Sequence, residues 1–488
     1  MKNLKKTMAG MLAMMMLLGA AGCGSKDEGK GDGEVSEVSW YWFGDREEDE
    51  QKVWDRINEL MAPEGVKVNF EVVDRGAYEE KMNLVITSGA DYDICFTSNW
   101  LNNYNQNVDK GAYYDIAPLL KTTHKKLYEA LPEYVWDITR KGDAIYGVPN
   151  QQVMFSQTAI RMTEEMFNKY DMASKQEALT KDFYGNIEPI LEQIKKDYPD
   201  LYVLRPDSLP TMMPEYETIN VGVGLSLKKD FDPENPELVF EASLPQYENY
   251  LAKLRDWFDK GYLRSDILTT TTDAADLWAL RYGMWFGSYK PGAEAEDTAK
   301  CSGVPIKWLT IAEPQLSYDA GQSTITAISA KSKDPEAALK VIEIFNTNKD
   351  VYNTMAFGLE NEHYTKVGEN RIKLADNERY SHSSAWIFGN QFNAYLTEGQ
   401  EDSAWEETER LNMEATKSKL IGFSPDINSI KSEISQLAAV VKEYDYLKKG
   451  AYTPEKYQEF IAKLKKAGVE TVVEEIEKQI IEFMKTKK

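Results

Sequence analysis

Trp42, Phe43 and Asp45 close the stretch SWYWFGD (39–45), in which four aromatics in succession end on a glycine and a carboxylate. Flat apolar rings beside a polar edge suit a guest whose C–H faces are ringed by hydroxyls. The ring takes the face, and amides or carboxylates take the hydroxyls. The same juxtaposition recurs at Trp100 after Asn99, at Trp285 before Phe286-Gly287, and at Trp386 in AWIFGNQF. With 28 Tyr, 11 Trp and 17 Phe in the chain, many aromatics must instead fill cores. Trp40 and Tyr41, deeper in the first run, are expected to pack, as are Trp278 and Trp405 in helix-like runs. Trp386 fits a platform or a core equally well.

Catalytic patterns are nearly absent. The three histidines, His124, His363 and His382, have no metal-ligand spacing. No G-x-S-x-G elbow, Walker-type loop or D-x-[DN]-x-[DN]-G calcium loop occurs, and Gly222 and Gly224 do not extend to G-x-G-x-x-G. No cofactor or metal is therefore expected. A glycoside hydrolase needs only two well-spaced carboxylates, and 80 acidic residues leave that reading open, although a solvated surface is the plainer role for them. The acidic balance speaks against nucleic acid, whose phosphates demand Lys and Arg patches, and against the body lying on an anionic membrane. Cys95 and Cys301 are better read as free thiols than as a disulfide, with Cys95 in a buried apolar run.

The chain begins with Lys2, Lys5 and Lys6, followed by the uncharged run Met8 to Leu18, which is too short to span a bilayer and reads as a signal peptide over 1–22. Gly19-Ala20-Ala21-Gly22-Cys23 resembles the lipobox of bacterial lipoproteins, which would make Cys23 the lipidated first residue. The three lysines lost with the leader take the formal charge from −23 to −26. Residues 23–37 are polar and Gly-rich, as a tether should be.

The remaining length calls for at least two lobes. Strand patterns at 35–43, 66–72 and 91–97 alternate with helix patterns at 46–61 and 77–87, which implies a parallel sheet with right-handed crossovers. Ligands sit beyond the carboxyl ends of such strands, and those ends bring Trp42, Phe43 and Asp45 to one rim with Asn99 and Trp100. Segments 153–161, 201–205 and 218–225 are expected to supply strands of the second lobe. Stretches 226–245 and 288–305 read as surface loops. Asp334-Pro335-Glu336 is a helix start with Leu339, Ile342 and Phe345 facing inward, and the tail from Asp426 reads as helical.

Together the lipobox-like start, SGADYDICFTSNWLNNYNQNVDKGAYYDIAPLL (88–120), AIYGVPNQQ (144–152) and LRYGMWFGSYKPGAEAE (280–296) resemble extracellular solute-binding proteins of bacterial ABC transporters. The tail GFSPDINSIKSEISQLAAVVKEY resembles an uncharacterised domain that often ends such lipoproteins. The resemblance implies an α/β, two-lobed periplasmic-binding-protein-like fold of class II type, with hinge strands between the lobes and a helical C-terminal extension. The expected first lobe is 38–148 plus about 305–347, and the second is 149–304 plus about 348–488. It further implies a monomer that holds a small solute, an oligosaccharide above all, and delivers it to the membrane subunits of an ABC permease, touching the membrane only through its lipid. On that reading Trp42, Asp45, Asn99 and Trp100 of the first lobe would meet Asn150, Gln151, Trp285, Gln322, Trp386 and Asn390 around the solute. A peptide or other polar solute remains an alternative, with Arg75 or Asp319 facing a charged terminus. A lipid-anchored glycoside hydrolase and a non-transport adhesin stand further off.

Overall fold

Alternation in the opening segment folds into the strand Ser36–Phe43, with Val38, Trp40, Trp42 and Phe43 turned inward. The computed structural model describes residues 35–377, 379–380 and 385–487. The leader, Cys23 and most of the tether lie outside them. Ser36–Phe43 lies between Val66–Val73 and Ile94–Thr97 and runs parallel to both. Ile325–Ile328 then pairs antiparallel with Ile94–Thr97 and with Val148–Pro149, giving a five-stranded mixed sheet. The crossover helix Glu50–Met61 buries Val53, Trp54, Ile57 and Met61. Its Asn58 amide pins Val68 through both backbone groups, at 2.8 and 3.0 Å. Asp334 caps the helix Pro335–Thr347 by accepting from the Ala337 N–H at 3.1 Å, and Leu339, Ile342 and Phe345 fill the core of this lobe.

The second lobe has two sheets. Thr158–Thr163 is central, flanked by Ile306–Thr310 and Tyr282–Ser288, and Tyr202–Leu204 closes the far edge. A three-stranded antiparallel sheet of Tyr216–Asn220, Gly224–Lys228 and Val239–Phe240 carries the C-terminal helices Lys431–Glu443, Pro454–Lys466 and Val469–Thr486. Val472, Ile476 and Ile480 face that sheet and share a core with Ile219, Leu225 and Leu437. Among the described residues no helix is long and apolar enough to cross a membrane.

Two expectations about loops change. The stretch 226–245 is only partly an excursion, because Gly224–Lys228 and Val239–Phe240 are paired strands. Within 288–305, Ala293–Lys300 is a helix whose Asp297 is buried against Arg161 at 3.1 Å. The expected lobe boundaries also shift. Ile306–Thr310 bonds Thr158–Thr163 and so lies in the second lobe. Val351, Tyr352, Met355, Phe388, Leu411 and Ala415 pack in the core of the first. Strand pairing and core packing override the order of the chain here. The chain therefore passes between lobes by three neighbouring segments. Ser156 and Gln315 exchange backbone bonds at 2.8 and 2.9 Å, and Gln315–Leu316 runs parallel to Thr416–Lys417. From Ser36 onward the chain forms one compact unit.

Candidate functional site

Ile94–Thr97 ends in a tight turn that sets the first binding wall. The Ser98 hydroxyl accepts from the N–H groups of Trp100 and Leu101, and Asn102, in the left-handed region at φ 50°, donates its amide to Phe96 O at 2.9 Å. Trp100 is thereby pushed outward and is 42% exposed. Its indole N–H donates to Ser323 O at 2.9 Å, which fixes the ring. Trp386 stands beside it with centroids 6.4 Å apart and planes at 38°, half-buried. Phe43 touches both rings, at 5.6 and 6.5 Å. The Arg75 guanidinium lies 5.2 Å from the Trp100 centroid and 5.7 Å from that of Phe43. Asp45 is exposed and lines a cavity of about 220 Å³ beside Phe43 and Arg75.

Polar groups ring this aromatic step. Asn99 donates its backbone N–H to Gln322 O at 2.9 Å and its side-chain amide to Asp319 at 3.2 Å. The other Asp319 oxygen accepts from the Ser317 hydroxyl at 2.7 Å. Gln152 donates to the Ser323 hydroxyl at 3.2 Å. The loop 317–324 therefore joins Asn99, Trp100 and Gln152 from three separate parts of the chain. Asn390 is half-buried next to Gln151, and its side chain caps the short turn 391–393 by accepting from the Phe392 N–H.

Five other candidates have structural roles instead. Trp42, 2% exposed, stacks on Phe388 at 6.1 Å and packs on Phe70, because its position in the strand faces the core helices. Trp285, fully covered, sits between Leu277, Tyr282, Cys301 and Ile306 in the middle of a paired strand. Asn150 spends its amide on Ile387 O at 2.7 Å and its oxygen on the Thr326 hydroxyl. Gln151 is buried in backbone pairing with Gly389 and Gln391. Gln322, 1% exposed, offers its backbone to Asn99 rather than its side chain to a cleft. Cys95 and Cys301 are free and buried.

Two polar residues that no motif marks also belong here: Gln152, next to Gln151, and Asn105, whose amide reaches Gln322 at 3.5 Å. A second hollow lies on the second lobe near the crossing segments. There a cavity of about 710 Å³ is lined by Thr158, Tyr184, Thr211, Asn249, Gln246 and Gln315, among others. Tyr184 stacks on Trp257 at 5.7 Å and donates to Pro210 O at 2.7 Å, so its ring is held in place. The signal was weak because these groups come from two helices, two strands and a loop with no shared motif.

Among the described residues one group has the makings of a metal site, Asp49, Glu362 and His363. Lys52 and Arg379 already neutralise Asp49. The Leu359 N–H donates to His363 Nδ1 at 2.9 Å, which leaves the proton on Nε2, aimed at Asp49. Burial alone would raise the Asp49 carboxyl, but the bonds from Lys52, His363 and Arg379 outweigh it and hold the group down to about 2. This is a structural charge cluster. Glu217 shows the reverse balance: burial raises its carboxyl, despite bonds from the Ser418 hydroxyl and the Tyr318 N–H.

A family described as a domain of unknown function (DUF3502) matches residues 419–485, the C-terminal helical region. Across its whole length the chain is 28% identical over 507 residues to a carbohydrate ABC transporter substrate-binding protein of Streptococcus pneumoniae, all of which is covered. The crystal structure of the N-glycan transport solute-binding protein of Streptococcus pneumoniae matches with a TM-score of 0.79 and 26% identity over 93% of this chain and 100% of that one. Its complex with Man1GlcNAc matches with a TM-score of 0.67 and 25% identity, over 92% and 100% of the two chains. Its complex with Man5GlcNAc matches with a TM-score of 0.64 and 25% identity, over 93% and 99%. The fold is the two-lobed one of periplasmic solute-binding proteins. Along its whole length the chain is thus similar to solute-binding proteins of the ABC-transporter kind.

Proposed function

We propose that the protein is the lipid-anchored capture component of an ABC importer for oligosaccharides. It takes the sugar between its two lobes and releases it, unbroken, to the permease's membrane subunits. One observation carries this reading: Trp100, exposed and fixed by its own N–H, in ring contact with half-buried Trp386 and ringed by Asn99, Asp319 and Gln152. Such a step accepts the apolar face of a pyranose while amides and a carboxylate take its hydroxyls. The cavity beside the crossing segments would receive further sugar units on the second lobe. Lobe closure supplies contacts from both sides, and ligand shifts the population toward the closed state. Cys23 is the proposed anchor, which would hold a monomer on the outer face of the cytoplasmic membrane. The Asp319 oxygens accept from the Asn99 amide and the Ser317 hydroxyl, which fixes the carboxylate and leaves each oxygen a lone pair for a sugar hydroxyl.

Isothermal calorimetry and thermal shift on the soluble body, residues 24–488, with Man5GlcNAc and shorter mannose oligosaccharides test the proposal. A sugar at 100 times its dissociation constant stabilises the native state by about 2.7 kcal/mol. Absence of any shift across neutral oligosaccharides, or release of reducing ends during incubation, overturns it.

A further inference from the structure

The C-terminal helical region sits on the second lobe, yet its entry segment is laced to the loop that backs the first binding wall. Ser418 N–H donates to Leu316 O at 2.8 Å and Gly422 N–H to Tyr318 O at 3.0 Å. The Gln322 side chain donates to Phe423 O at 3.3 Å, while the Gln322 backbone oxygen accepts from Asn99 N–H at 2.9 Å. Glu217 bridges the same two segments, accepting from the Tyr318 N–H and from the Ser418 hydroxyl. Gly422 has φ +85°, and a side chain there would meet Asp137 O of the first lobe at 2.6 Å, so the segment is seated against that lobe too. Leu420 and Phe423 anchor it in the helical core, with Phe423 5.4 Å from Phe483 of the last helix.

The loop 317–324, Ser-Tyr-Asp-Ala-Gly-Gln-Ser-Thr, has no pairing in a sheet of its own, so its shape depends on the bonds it makes with neighbouring segments. It nonetheless supplies a hydrogen-bond partner to each of Asn99, Trp100 and Gln152 and so ties them to one another. We infer that the region 418–485 is a positioning element for the binding wall, acting through buried Gln322 and half-buried Ser418 to hold the Asn99–Trp100 turn ready for a guest. Preorganised contacts bind more tightly because less freedom is lost on association. The inference rests on Asn99 and Trp100 as ligand contacts.

The test uses protein labelled with 5-fluorotryptophan, with the Trp100 fluorine resonance assigned by its loss in Trp100→Phe. Gln322→Met keeps the buried volume and removes the bond to Phe423 O together with the longer one from the Asn105 amide, which Ser418→Ala leaves in place. Ser418→Ala removes the bridge to Glu217 from a half-buried site, and decides the matter if the first variant does not fold. In both, the Trp100 resonance is expected to shift or broaden while those of core tryptophans such as Trp285 stay in place. Man5GlcNAc affinity is expected to fall about five- to tenfold, the scale of one lost buried hydrogen bond, with little change in melting temperature. A Trp100 resonance unmoved in both variants, or one that moves only together with the core signals, overturns the inference. If wild-type protein ignores Man5GlcNAc, the sugar reading fails while the fluorine result still decides the positioning role.

Discussion

Trp100 shows 42% of its surface while its N–H stays bonded to Ser323 O at 2.9 Å. A ring held this way meets a guest without first losing rotamer freedom, and an aromatic face contributes about 1 to 2 kcal/mol on contact. Trp100→Ala should therefore weaken Man5GlcNAc binding roughly tenfold by calorimetry, with the melting temperature nearly unchanged; an unaltered affinity would remove the ring from the site. Trp285→Ala should behave in the opposite way. Its ring is sealed among Leu277, Tyr282 and Ile306, so truncation leaves a cavity and costs about 3 to 5 kcal/mol of stability in urea titration. Both tryptophans follow or precede a polar or glycine-rich dipeptide, and nothing in those neighbours distinguishes them. What separates them is position along the strand. Trp100 comes after Ile94–Thr97 has ended, whereas Trp285 lies inside Tyr282–Ser288, paired on both edges.

At the scale of elements, local signals were legible and partners were not. The alternation at 35–43, the cap at Asp334 and the apolar stripe Val472–Ile476–Ile480 each describe contacts made within one segment, and each is present. The helix Ala293–Lys300 was hidden because Pro291-Gly292 reads as a turn, although the residues after it are good helix formers. The return of Ile306–Thr310 to the second lobe depends on Thr158–Thr163, some 140 residues earlier, and no local pattern records it. The same holds for the segment 418–423. Its partner Glu217 is half-buried with a raised carboxyl, so it takes up a proton more readily in the folded than in the unfolded state. Stability from that group is fully present below the unfolded value of about 4.3 and declines as pH rises through the higher folded value. Glu217→Gln, a neutral isostere, should thus leave the melting temperature at pH 7 equal or higher and flatten its decline above pH 4. A marked loss of stability at pH 7 would show that the charge itself is needed to hold Tyr318 and Ser418.

For the molecule as a whole, the division into two lobes followed from length, but its boundaries followed from packing. The first core takes in residues as late as Ile421, and the second lobe is assembled from 158–311 together with the chain's end. A cleft between bodies so interleaved closes only by bending at the crossing segments. Small-angle X-ray scattering should show the radius of gyration of the soluble body falling when Man5GlcNAc is added, and an unchanged radius with bound sugar would exclude closure. The neck itself has a mechanical consequence. Three adjoining backbones are paired side by side at Ser156, Gln315 and Thr416, so they turn as one joint. On the proposed function the jaws would then shut along one arc, so that each cargo would arrive at the transporter in the same orientation as the one before it.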